Sequence, residues 1–414
     1  MIHDQKCDVA VIGAGAAGLA AGTECAANGF PTVVIDRETL AGGILRQCIH
    51  NGFGLQYFKE ELTGPEYATR VVDAAVEAGV ELKLNTTVST VERNSDGMFE
   101  LLLLSPEDGV SRIQARAVML AMGCRERNRG NIATPGTRPA GIFTAGAAQR
   151  LLNIEGMLPG RRAVVVGSGD IGLIMARRLT WCGVEVKAVI EIMPYPSGLT
   201  RNVVQCLHDF DIPLYLEHAV TNIFGRERVE GIEAAPLKDG VPQLNEKFAI
   251  DCDTILFSVG LLPENELSHR LGVEINPATG GAVVDGDLQT TVPGVFAGGN
   301  VLHVHDLVDF VSGEAGRAAR GIIRYLKGEA APTGCRATAG ANLKYAVPNY
   351  FAPGVKTEFS FRPLIVSDRA VLQAEQNGSV IWSKDLRFVR PAEMLTVELE
   401  AGEGELLFNL QHKE

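Results

Sequence analysis

The sequence predicts an α/β fold with two Rossmann-like dinucleotide-binding domains and a small C-terminal β-rich domain. Two observations predict the paired domains. The glycine pattern GxGxxG occurs twice, at 13–18 and at 167–172. Each copy follows an apolar run and precedes a helix-like stretch, a second apolar run and an acid. One such pattern is weak evidence, but two copies with strand, helix and acid in the same order indicate two bound dinucleotides.

The first glycine signature follows the apolar run 9–12 and leads, through a helix and the run 33–35, to Asp36. Its first glycine permits a tight turn, its second lets the backbone approach a pyrophosphate, and its third lets helix and strand pack closely. The phosphates then lie at a helix N-terminus, where unpaired N–H groups and the helix dipole favour an anion. The predicted contact residues are Gly13, Gly15, Ala16, Ala17, Gly18, Asp36 and Arg37.

The second glycine signature follows the run 163–166, and its acid is Glu191. An acid at this position accepts hydrogen bonds from ribose hydroxyls and repels the 2′-phosphate of NADP. Glu191 therefore favours NAD over NADP. The predicted contact residues of this half are Gly167, Gly169, Asp170, Ile171, Glu191 and Gly260.

The remaining segments follow in order along the chain. Apolar residues at helical spacing predict a helix over 64–80, and three or four strand-like runs occupy 80–122. The Gly-, Pro- and Arg-rich segment 125–160 is typical of a crossing between domains. A long helix is predicted near 306–327, and the alternating pattern of 333–414, punctuated by prolines, predicts β structure.

Composition excludes several classes of function. The net charge of −12 argues against nucleic acid or an anionic membrane as the main partner. No apolar run reaches the ~18 residues of a membrane span. The eight cysteines include no CxxC pair, so zinc and iron–sulfur sites have no support. We expect no signal peptide and a cytoplasmic location.

Four motifs in this order resemble the pyridine nucleotide–disulfide oxidoreductase superfamily: both glycine signatures, the Met-Gly stretch ending at Gly123, and TTVPGVFAGGN at 290–300. The resemblance covers residue 6 to about residue 330. It implies an FAD-binding domain interrupted by an inserted NAD-binding domain. The expected boundaries are 1–125 and 249–331 for the two FAD-binding parts, 126–248 for the NAD-binding domain, and 332–414 for the C-terminal domain.

Two stretches, GGILRQCIHNGFGLQYFKEELTGPEYA from Gly42 and GNVLHVHDLVDFVSGEAG from Gly299, look more closely like one group of FAD-dependent oxidoreductases. These are encoded beside anaerobic glycerol-3-phosphate dehydrogenase-like flavoproteins and are related to subunits of opine and proline dehydrogenases and hydrogen cyanide synthase. In those relatives a partner subunit handles the organic substrate. The resemblance therefore implies one subunit of an oligomeric, multi-flavin dehydrogenase.

The resemblance also assigns FAD contacts. Gly13, Gly15, Gly18 and Asp36 hold the ADP half, and the remaining contacts are Gly42, Gly43, Gly123, Gly299 and Asn300. Asn300 departs from the pattern, because the superfamily usually has Asp there. The helix beginning near Asp306 is expected to direct its N-terminus at the flavin N1/O2 edge, where it stabilises an anionic reduced flavin.

The chain lacks the cysteine pair of disulfide reductases, so dithiol exchange is not expected. The candidate catalytic residues are Cys48, His50 and His305. Cys48 is a redox thiol if Arg46 or His50 lowers its pKa, and otherwise a packed cysteine. A histidine beside the flavin transfers a proton to substrate or serves only polar packing.

The string His303-Val304-His305-Asp306 has the look of a metal motif, but no histidine or carboxylate cluster elsewhere completes it, so we expect no metal. Asp306 and Asp309 are instead expected to cap and charge the start of the helix.

These residues predict an oxidoreductase that transfers hydride between NAD(H) and FAD and exchanges electrons with a partner flavoprotein. Two alternatives remain open at this point. One is a self-sufficient dehydrogenase in which a small organic substrate meets FAD directly, and the other is a non-catalytic FAD-bearing scaffold.

Overall fold

The computed structural model describes residues 3–329 and 334–413. The chain divides into two compact units: one runs to Cys124 and resumes at Pro263, and the other spans Arg125–Leu262. The second unit continues past residue 248, where the inserted domain was expected to end, because the strand Thr254–Phe257 pairs within its sheet. The boundary expected between 331 and 332 lies outside the described residues.

The first unit begins with a parallel sheet whose central strands are apolar and buried, as expected for strands covered on both faces. The strands run in the order β5-β2-β1-β8-β7-β6, and β7 is antiparallel to both of its neighbours, β6 and β8. A 3-10 helix covers Gly43–Gln47. The elements are β1 (His3–Ile12), α1 (Ala16–Ala27), β2 (Thr32–Ile35), β3 (Asn51–Phe53), β4 (Leu62–Thr63), α2 (Gly64–Glu77), β5 (Glu81–Lys83), β6 (Thr87–Arg93), β7 (Phe99–Ser105) and β8 (Gly109–Leu120).

The second unit holds its own five-stranded parallel sheet, in the order β10-β18-β11-β12-β13, and an antiparallel group formed by β14 to β17. Short 3-10 helices cover His208–Phe210 and Leu244–Glu246. The elements from its start are β9 (Cys124–Glu126), β10 (Ile142–Thr144), α3 (Ala145–Asn153), β11 (Arg162–Val166), α4 (Asp170–Trp181), β12 (Glu185–Ile190), α5 (Thr200–Cys206), β13 (Leu214–Tyr215), β14 (His218–Phe224), β15 (Gly231–Lys238), β16 (Val241–Pro242), β17 (Phe248–Asp251), β18 (Thr254–Phe257) and β19 (Leu261–Pro263).

The chain then completes the first sheet and adds its longest helix. The elements are α6 (Glu266–Arg270), β20 (Val295–Ala297) and α7 (Val308–Lys327), with a 3-10 helix at Gly299–Val301 between the last two. β20 pairs in parallel with β8 as the seventh strand of the sheet. α7 buries small and aliphatic residues such as Ala315, Ala318 and Ile322 on one face, and it ends at Gly328 in the left-handed conformation.

The last part of the first unit is β structure, as the alternating pattern predicts. A five-stranded sheet, β23-β21-β28-β25-β26, and a three-stranded sheet, β22-β24-β27, share a core that includes Phe359, Phe361 and Phe408. The strands are β21 (Cys335–Ala339), β22 (Leu343–Val347), β23 (Tyr350–Phe351), β24 (Thr357–Pro363), β25 (Ser367–Gln376), β26 (Ser379–Val389), β27 (Leu395–Leu399) and β28 (Leu406–His412). The predicted α/β class with two Rossmann-like folds is confirmed.

Among the helices that the structure describes, none is both long enough and apolar enough to cross a membrane.

Candidate functional site

The first glycine signature forms the turn between β1 and α1. Gly13 has φ +109°, and a Cβ there would lie 2.4 Å from the carbonyl oxygen of Ala121, so no other residue fits this tight turn. Gly15 is the N-cap of α1, no side chain caps it, and the first turn carries no acid. A Cβ on Gly15 would meet no atom within 4 Å. The N-terminus of α1 therefore offers free N–H groups and open space, which fit a pyrophosphate.

Asp36 follows β2 and binds the backbone of this turn. Its Oδ2 accepts the N–H of Ala14 at 2.6 Å, and its Oδ1 accepts the N–H of Glu38 at 2.8 Å. An ionised carboxylate has about four acceptor directions, so two remain for ribose hydroxyls. Arg37, beside it, is exposed. The structure thus places Asp36 where the sequence pattern predicts it.

Two later glycines approach the same turn. Gly43 has φ +56°, and a Cβ there would lie 3.1 Å from Cα of Gly15. Gly299 has φ +74°, and its Cβ would lie 2.9 Å from Cβ of Ala17. Only glycine combines this conformation with such close contact. The structure therefore brings Gly299, and Gly42 next to Gly43, to the first signature from distant parts of the sequence.

Asn300 is engaged by the protein itself. Its Nδ2 donates to Sγ of Cys124 at 3.6 Å, and its Oδ1 accepts the N–H of His305 at 3.0 Å. Gly123 precedes Cys124 with φ +71° and has open space on its Cβ side. The amide thus joins the end of the Met-Gly stretch to the segment that leads into α7. The contact of Asn300 with FAD stays a prediction.

Neither aspartate near the start of α7 caps that helix, so the capping part of the expectation is wrong, although Asp309 does place an acid in the first turn. The N-cap is Leu307, which forms no side-chain cap. Asp306 forms an ion pair with Arg362 at 2.7 Å and accepts the N–H of Met394 at 2.6 Å.

Asp309 is buried and turns away from its own helix. It accepts three N–H groups of one loop, those of Gly54 at 3.1 Å, Gln56 at 2.9 Å and Tyr57 at 2.7 Å. The N–H groups of the first turn of α7 are left without a side-chain acceptor from either aspartate. Tyr67 and Ser312 hydrogen-bond at 2.7 Å inside the same unit and hold α2 to α7.

A buried polar cluster lies behind Gly299. Glu314 accepts the N–H of Gly299 through Oε1 at 2.7 Å, while its Oε2 lies 2.7 Å from Nε2 of His303 and 3.4 Å from Nε2 of His305. Burial opposes ionisation of Glu314, but the two histidines hold its pKa well below the usual range. Burial lowers the pKa of His303, while the nearby carboxylate of Glu314 opposes that shift.

This cluster corrects the expectation that no carboxylate would complete the histidine string. Glu314 does so from the buried face of α7, eleven positions after His303. The sequence contains a signal for the burial of Glu314, because this acid shares a helical face with Ala315, Ala318 and Ile322. A carboxylate on an apolar, buried face needs a polar or charged partner there. His305 does not stand open beside a substrate position, since its side chain is 1% exposed.

The structure does not supply the activation that a redox role of Cys48 requires. Burial raises the pKa of this thiol to about 12. Its Sγ donates to the carbonyl of Ile44 at 3.3 Å. Arg46 is held elsewhere, by the carbonyl of Ala41 at 2.8 Å and Oγ1 of Thr69 at 3.2 Å. His50 lies 3.1 Å from the carbonyl of Asn51 through its Nδ1.

All eight cysteines of the chain lie within the described residues, and each is a thiol that forms no disulfide. The absence of a cysteine pair from the sequence and of a disulfide among these eight residues agrees with an oxidoreductase that does not exchange disulfides.

The second glycine signature is packed more tightly than the first. A Cβ on Gly169, the N-cap of α4, would lie 2.9 Å from Oγ of Ser258, whereas the matching position at Gly15 is open. Asp170 begins α4, and its Oδ1 accepts the N–H of Leu199 at 2.8 Å and Nδ2 of Asn202 at 2.6 Å. Ile171 follows it on the first turn of α4, and Gly260 is exposed with φ +99°.

Glu191 is 3% exposed and fully hydrogen-bonded. It accepts the N–H of Ser168 at 2.9 Å, the hydroxyl of Ser168 at 2.5 Å, the hydroxyl of Ser197 at 2.8 Å and the N–H of Met193 at 2.9 Å. Glu191 lies where the pattern predicts an acid, but the segment Ser197–Leu199 is hydrogen-bonded to Glu191 and Asp170. The serines that hold this segment carry no pattern that identifies them in the sequence.

Comparison with known proteins identifies relatives over most of the chain. Residues 7–319 match the model of the pyridine nucleotide-disulphide oxidoreductase family. An opine oxidase subunit of Agrobacterium tumefaciens is 26% identical over 315 residues, 71% of this chain and 61% of that protein. Hydrogen cyanide synthase subunit HcnB of Pseudomonas protegens is 26% identical over 290 residues, 64% of this chain and 59% of that protein. The chain thus spans about three fifths of the length of these curated relatives.

Solved structures show the same fold. The crystal structure of T. acidophilum thioredoxin reductase superposes with a TM-score of 0.65 and covers 78% of this chain and 99% of that one. Its sequence identity of 24% supports the fold alone.

Proposed function

The chain belongs to the pyridine nucleotide-disulphide oxidoreductase family, and from this membership we propose that it transfers hydride between NAD(H) and FAD and exchanges electrons with a partner flavoprotein subunit. As a member of this family it is an oxidoreductase that uses FAD and NAD(P). The open first glycine turn, together with the missing cysteine pair, carries the proposal. With no resident dithiol, electrons that reach the flavin leave through an acceptor outside the chain.

The residues of the first unit fit FAD. The N-terminus of α1 binds the pyrophosphate, because its N–H groups are uncapped and Gly15 leaves the space open. Asp36 binds the ribose of the ADP half through its two remaining acceptor directions. Gly43 and Gly299 let two further backbone segments reach this turn. When bound, FAD supplies a centre that accepts hydride and releases electrons singly or in pairs.

In the second unit we propose NAD(H) as the nucleotide. Glu191 is the acid that binds ribose hydroxyls in this pattern, and residues 192–200, between it and the exposed Arg201, contain no Lys or Arg to bind a 2′-phosphate. Binding of NAD(H) would require the hydroxyl of Ser197 to exchange its hydrogen bond with Glu191 for one with the ribose.

Two observations support a partner subunit. The opine oxidase relative and HcnB are both named as subunits. The segment 40–57, beside the first glycine turn, also exposes large apolar side chains to solvent. The exposed fractions are 66% for Leu40, 63% for Ile44, 46% for Leu55 and 44% for Tyr57. Exposed apolar residues clustered within one short segment are typical of interaction surfaces. We therefore place the partner on this segment.

The test is anaerobic reduction of the FAD-loaded chain by NADH or NADPH, followed through loss of the oxidised-flavin absorbance. We expect NADH to bleach the flavin at least tenfold faster than NADPH. Glu191→Gln should narrow this ratio, while the matched control Glu185→Gln, an exposed acid on the same strand β12, should leave it unchanged. If neither nucleotide reduces the flavin, the proposed hydride transfer is wrong.

One observation favours the second candidate, an FAD-bearing scaffold. Ser258 fills the space beside Gly169, and Ser197–Leu199 covers the second turn through Glu191 and Asp170. A scaffold would keep FAD but bind no nicotinamide nucleotide. Calorimetric titration of the FAD-loaded chain with NADH distinguishes the two, because hydride transfer requires binding and the scaffold predicts none.

A further inference from the structure

We propose that His303, His305 and Glu314 form a site for a divalent transition metal ion, with Zn²⁺ as the preferred ion. One donor atom from each residue lies within 4.8 Å of the other two, and Nε2 of His303 and of His305 lie 2.7 Å and 3.4 Å from Oε2 of Glu314. The three side chains are 0%, 1% and 4% exposed. The site belongs to the first unit and uses none of the residues of the two glycine turns.

The hydrogen bonds around His305 indicate a cation. Its Nδ1 lies 2.9 Å from the carbonyl oxygen of His303, and because a carbonyl only accepts, Nδ1 carries the hydrogen. In the tautomer with its hydrogen on Nδ1, Nε2 of His305 presents a lone pair to Oε2 of Glu314, 3.4 Å away. Two acceptors facing each other in a dry site repel, so a cation has to lie between them.

The surroundings of His303 complete the pattern. Its Nε2 points to the same carboxylate oxygen at 2.7 Å, and its Nδ1 lies 3.3 Å from the hydroxyl of Tyr345. Histidines that bind metals present one ring nitrogen to the ion and hold the other with a carbonyl, carboxylate or other polar group, which fixes ring and tautomer. Nε2 of both rings faces Glu314 and both Nδ1 atoms have a polar partner. The hydrogen that joins Nε2 of His303 to the carboxylate has to leave this nitrogen before it binds an ion, and Nδ1 then donates to the hydroxyl oxygen of Tyr345.

The charged groups that face the cluster offset the carboxylate of Glu314 only in part. Arg317 is paired with Glu358 at 2.9 Å, although its Nη2 also lies 3.8 Å from Glu314. Arg362 is paired with Asp306 at 2.7 Å. Arg317 thus divides its charge between Glu314 and the half-exposed Glu358, so part of the charge of Glu314 remains for a cation to offset. A proton on His305 is the competing occupant.

The donor set and its spacing favour zinc over harder ions. Imidazole nitrogen suits Zn²⁺, Cu²⁺ and Fe²⁺, whereas Mg²⁺ and Ca²⁺ prefer oxygen. Bonds of ~2.0–2.1 Å in a tetrahedron place neighbouring donor atoms about 3.3 Å apart. The distance of 3.4 Å between His305 and Glu314 matches this value, and the 2.7 Å between His303 and Glu314 has to widen. The ion would fix Glu314, which in turn holds the N–H of Gly299.

The experiment measures metal in the FAD-loaded full chain by plasma mass spectrometry, after purification without chelators. We expect one equivalent of Zn²⁺ per chain, and a loss of at least tenfold in affinity in His305→Ala and Glu314→Gln. His269→Ala, an exposed histidine on α6, is the matched control and should keep the metal. FAD content reports folding of each variant.

A second measurement does not depend on variants. The metal is first removed with a chelator, and the metal-free protein is then titrated with Co²⁺ while its visible absorption is recorded. The bands of Co²⁺ bound by nitrogen and oxygen should reach their full intensity at one equivalent. They should disappear when Zn²⁺ is added and displaces the Co²⁺. The proposal is overturned if the native, FAD-loaded chain contains no metal and takes up neither ion, which would assign the charge to a proton. It is also overturned if His305→Ala and Glu314→Gln bind the ions as the native chain does.

Discussion

Replacement of Asp309 by alanine removes the acceptor for three N–H groups at once. The carboxylate holds Gly54, Gln56 and Tyr57 from a helix that lies more than 250 positions later in the chain. Among the described residues, no other side chain accepts these three groups. The substitution therefore frees the loop that carries the exposed residues Leu55 and Tyr57.

The size of the effect follows from the burial of each N–H group. The bond to Gly54 is buried, and a buried donor left without a partner costs ~1–3 kcal/mol. The bonds to Gln56 and Tyr57 are partly buried, so water replaces part of each, and we assign about 1 kcal/mol to each. The total for Asp309→Ala is about 3–5 kcal/mol of unfolding free energy. Asp309→Asn keeps an oxygen for Gln56 and Tyr57 and should lose only the buried share, ~1–3 kcal/mol.

The assay is urea unfolding of the FAD-loaded protein, together with hydrogen exchange of the loop amides. Alanine should destabilise more than asparagine, and exchange should accelerate at Gly54, Gln56 and Tyr57. Asp73→Ala, an exposed acid on α2, is the control and should change stability by less than about 0.5 kcal/mol. Equal stability of the native, Asn and Ala proteins, with unchanged exchange of the three amides, would refute the reasoning.

Three further outcomes follow from single residues. Cys48→Ser should leave the rate of flavin reduction by NADH unchanged, because the thiol is buried with its pKa raised to about 12; a loss of rate would restore its catalytic role. Gly299→Ala should lower FAD retention and cost about 2–5 kcal/mol in urea unfolding, from its φ of +74° and the 2.9 Å contact with Ala17. Gly328→Ala is the matched control: Gly328 has φ +75°, but no atom lies within 4 Å of its Cβ position. It should therefore lose only the part of the unfolding free energy that comes from the left-handed backbone. Burial raises the pKa of Asp285 from 3.8 to about 6, so between these values the folded chain binds more protons than the unfolded chain. Stability should therefore fall as pH rises through that window, and Asp285→Asn should remove the slope when unfolding is measured from pH 4 to pH 7.

The sequence predicts those parts of the fold that depend on local patterns. The glycines of the first signature, the apolar strands around them and Asp36 lie within a segment of about 30 residues, and the tight turn at Gly13 allows no other residue. The approach of Gly43 and Gly299 to this turn comes from the family resemblance, since neither residue is near it in the sequence.

The sequence does not show contacts that depend on how distant segments pack. Asp309 has the position of a helix-starting acid, yet its carboxylate binds the loop at Gly54 because α7 packs beside that loop. Glu314 meets His303 only once the chain has turned through the start of α7. Ser258 reaches Gly169 across 89 positions, so a glycine pattern alone does not reveal that the second turn is packed and the first open.

The most direct test of the central claim is a stoichiometric one. The FAD-loaded chain, with its accessible thiols alkylated and no partner present, is titrated with NADH in the absence of oxygen. Hydride transfer from nicotinamide to flavin without a dithiol predicts complete bleaching by one NADH per FAD, at the rate of the unmodified protein. A requirement for two NADH per FAD, loss of bleaching after alkylation, or no bleaching at all would contradict the account.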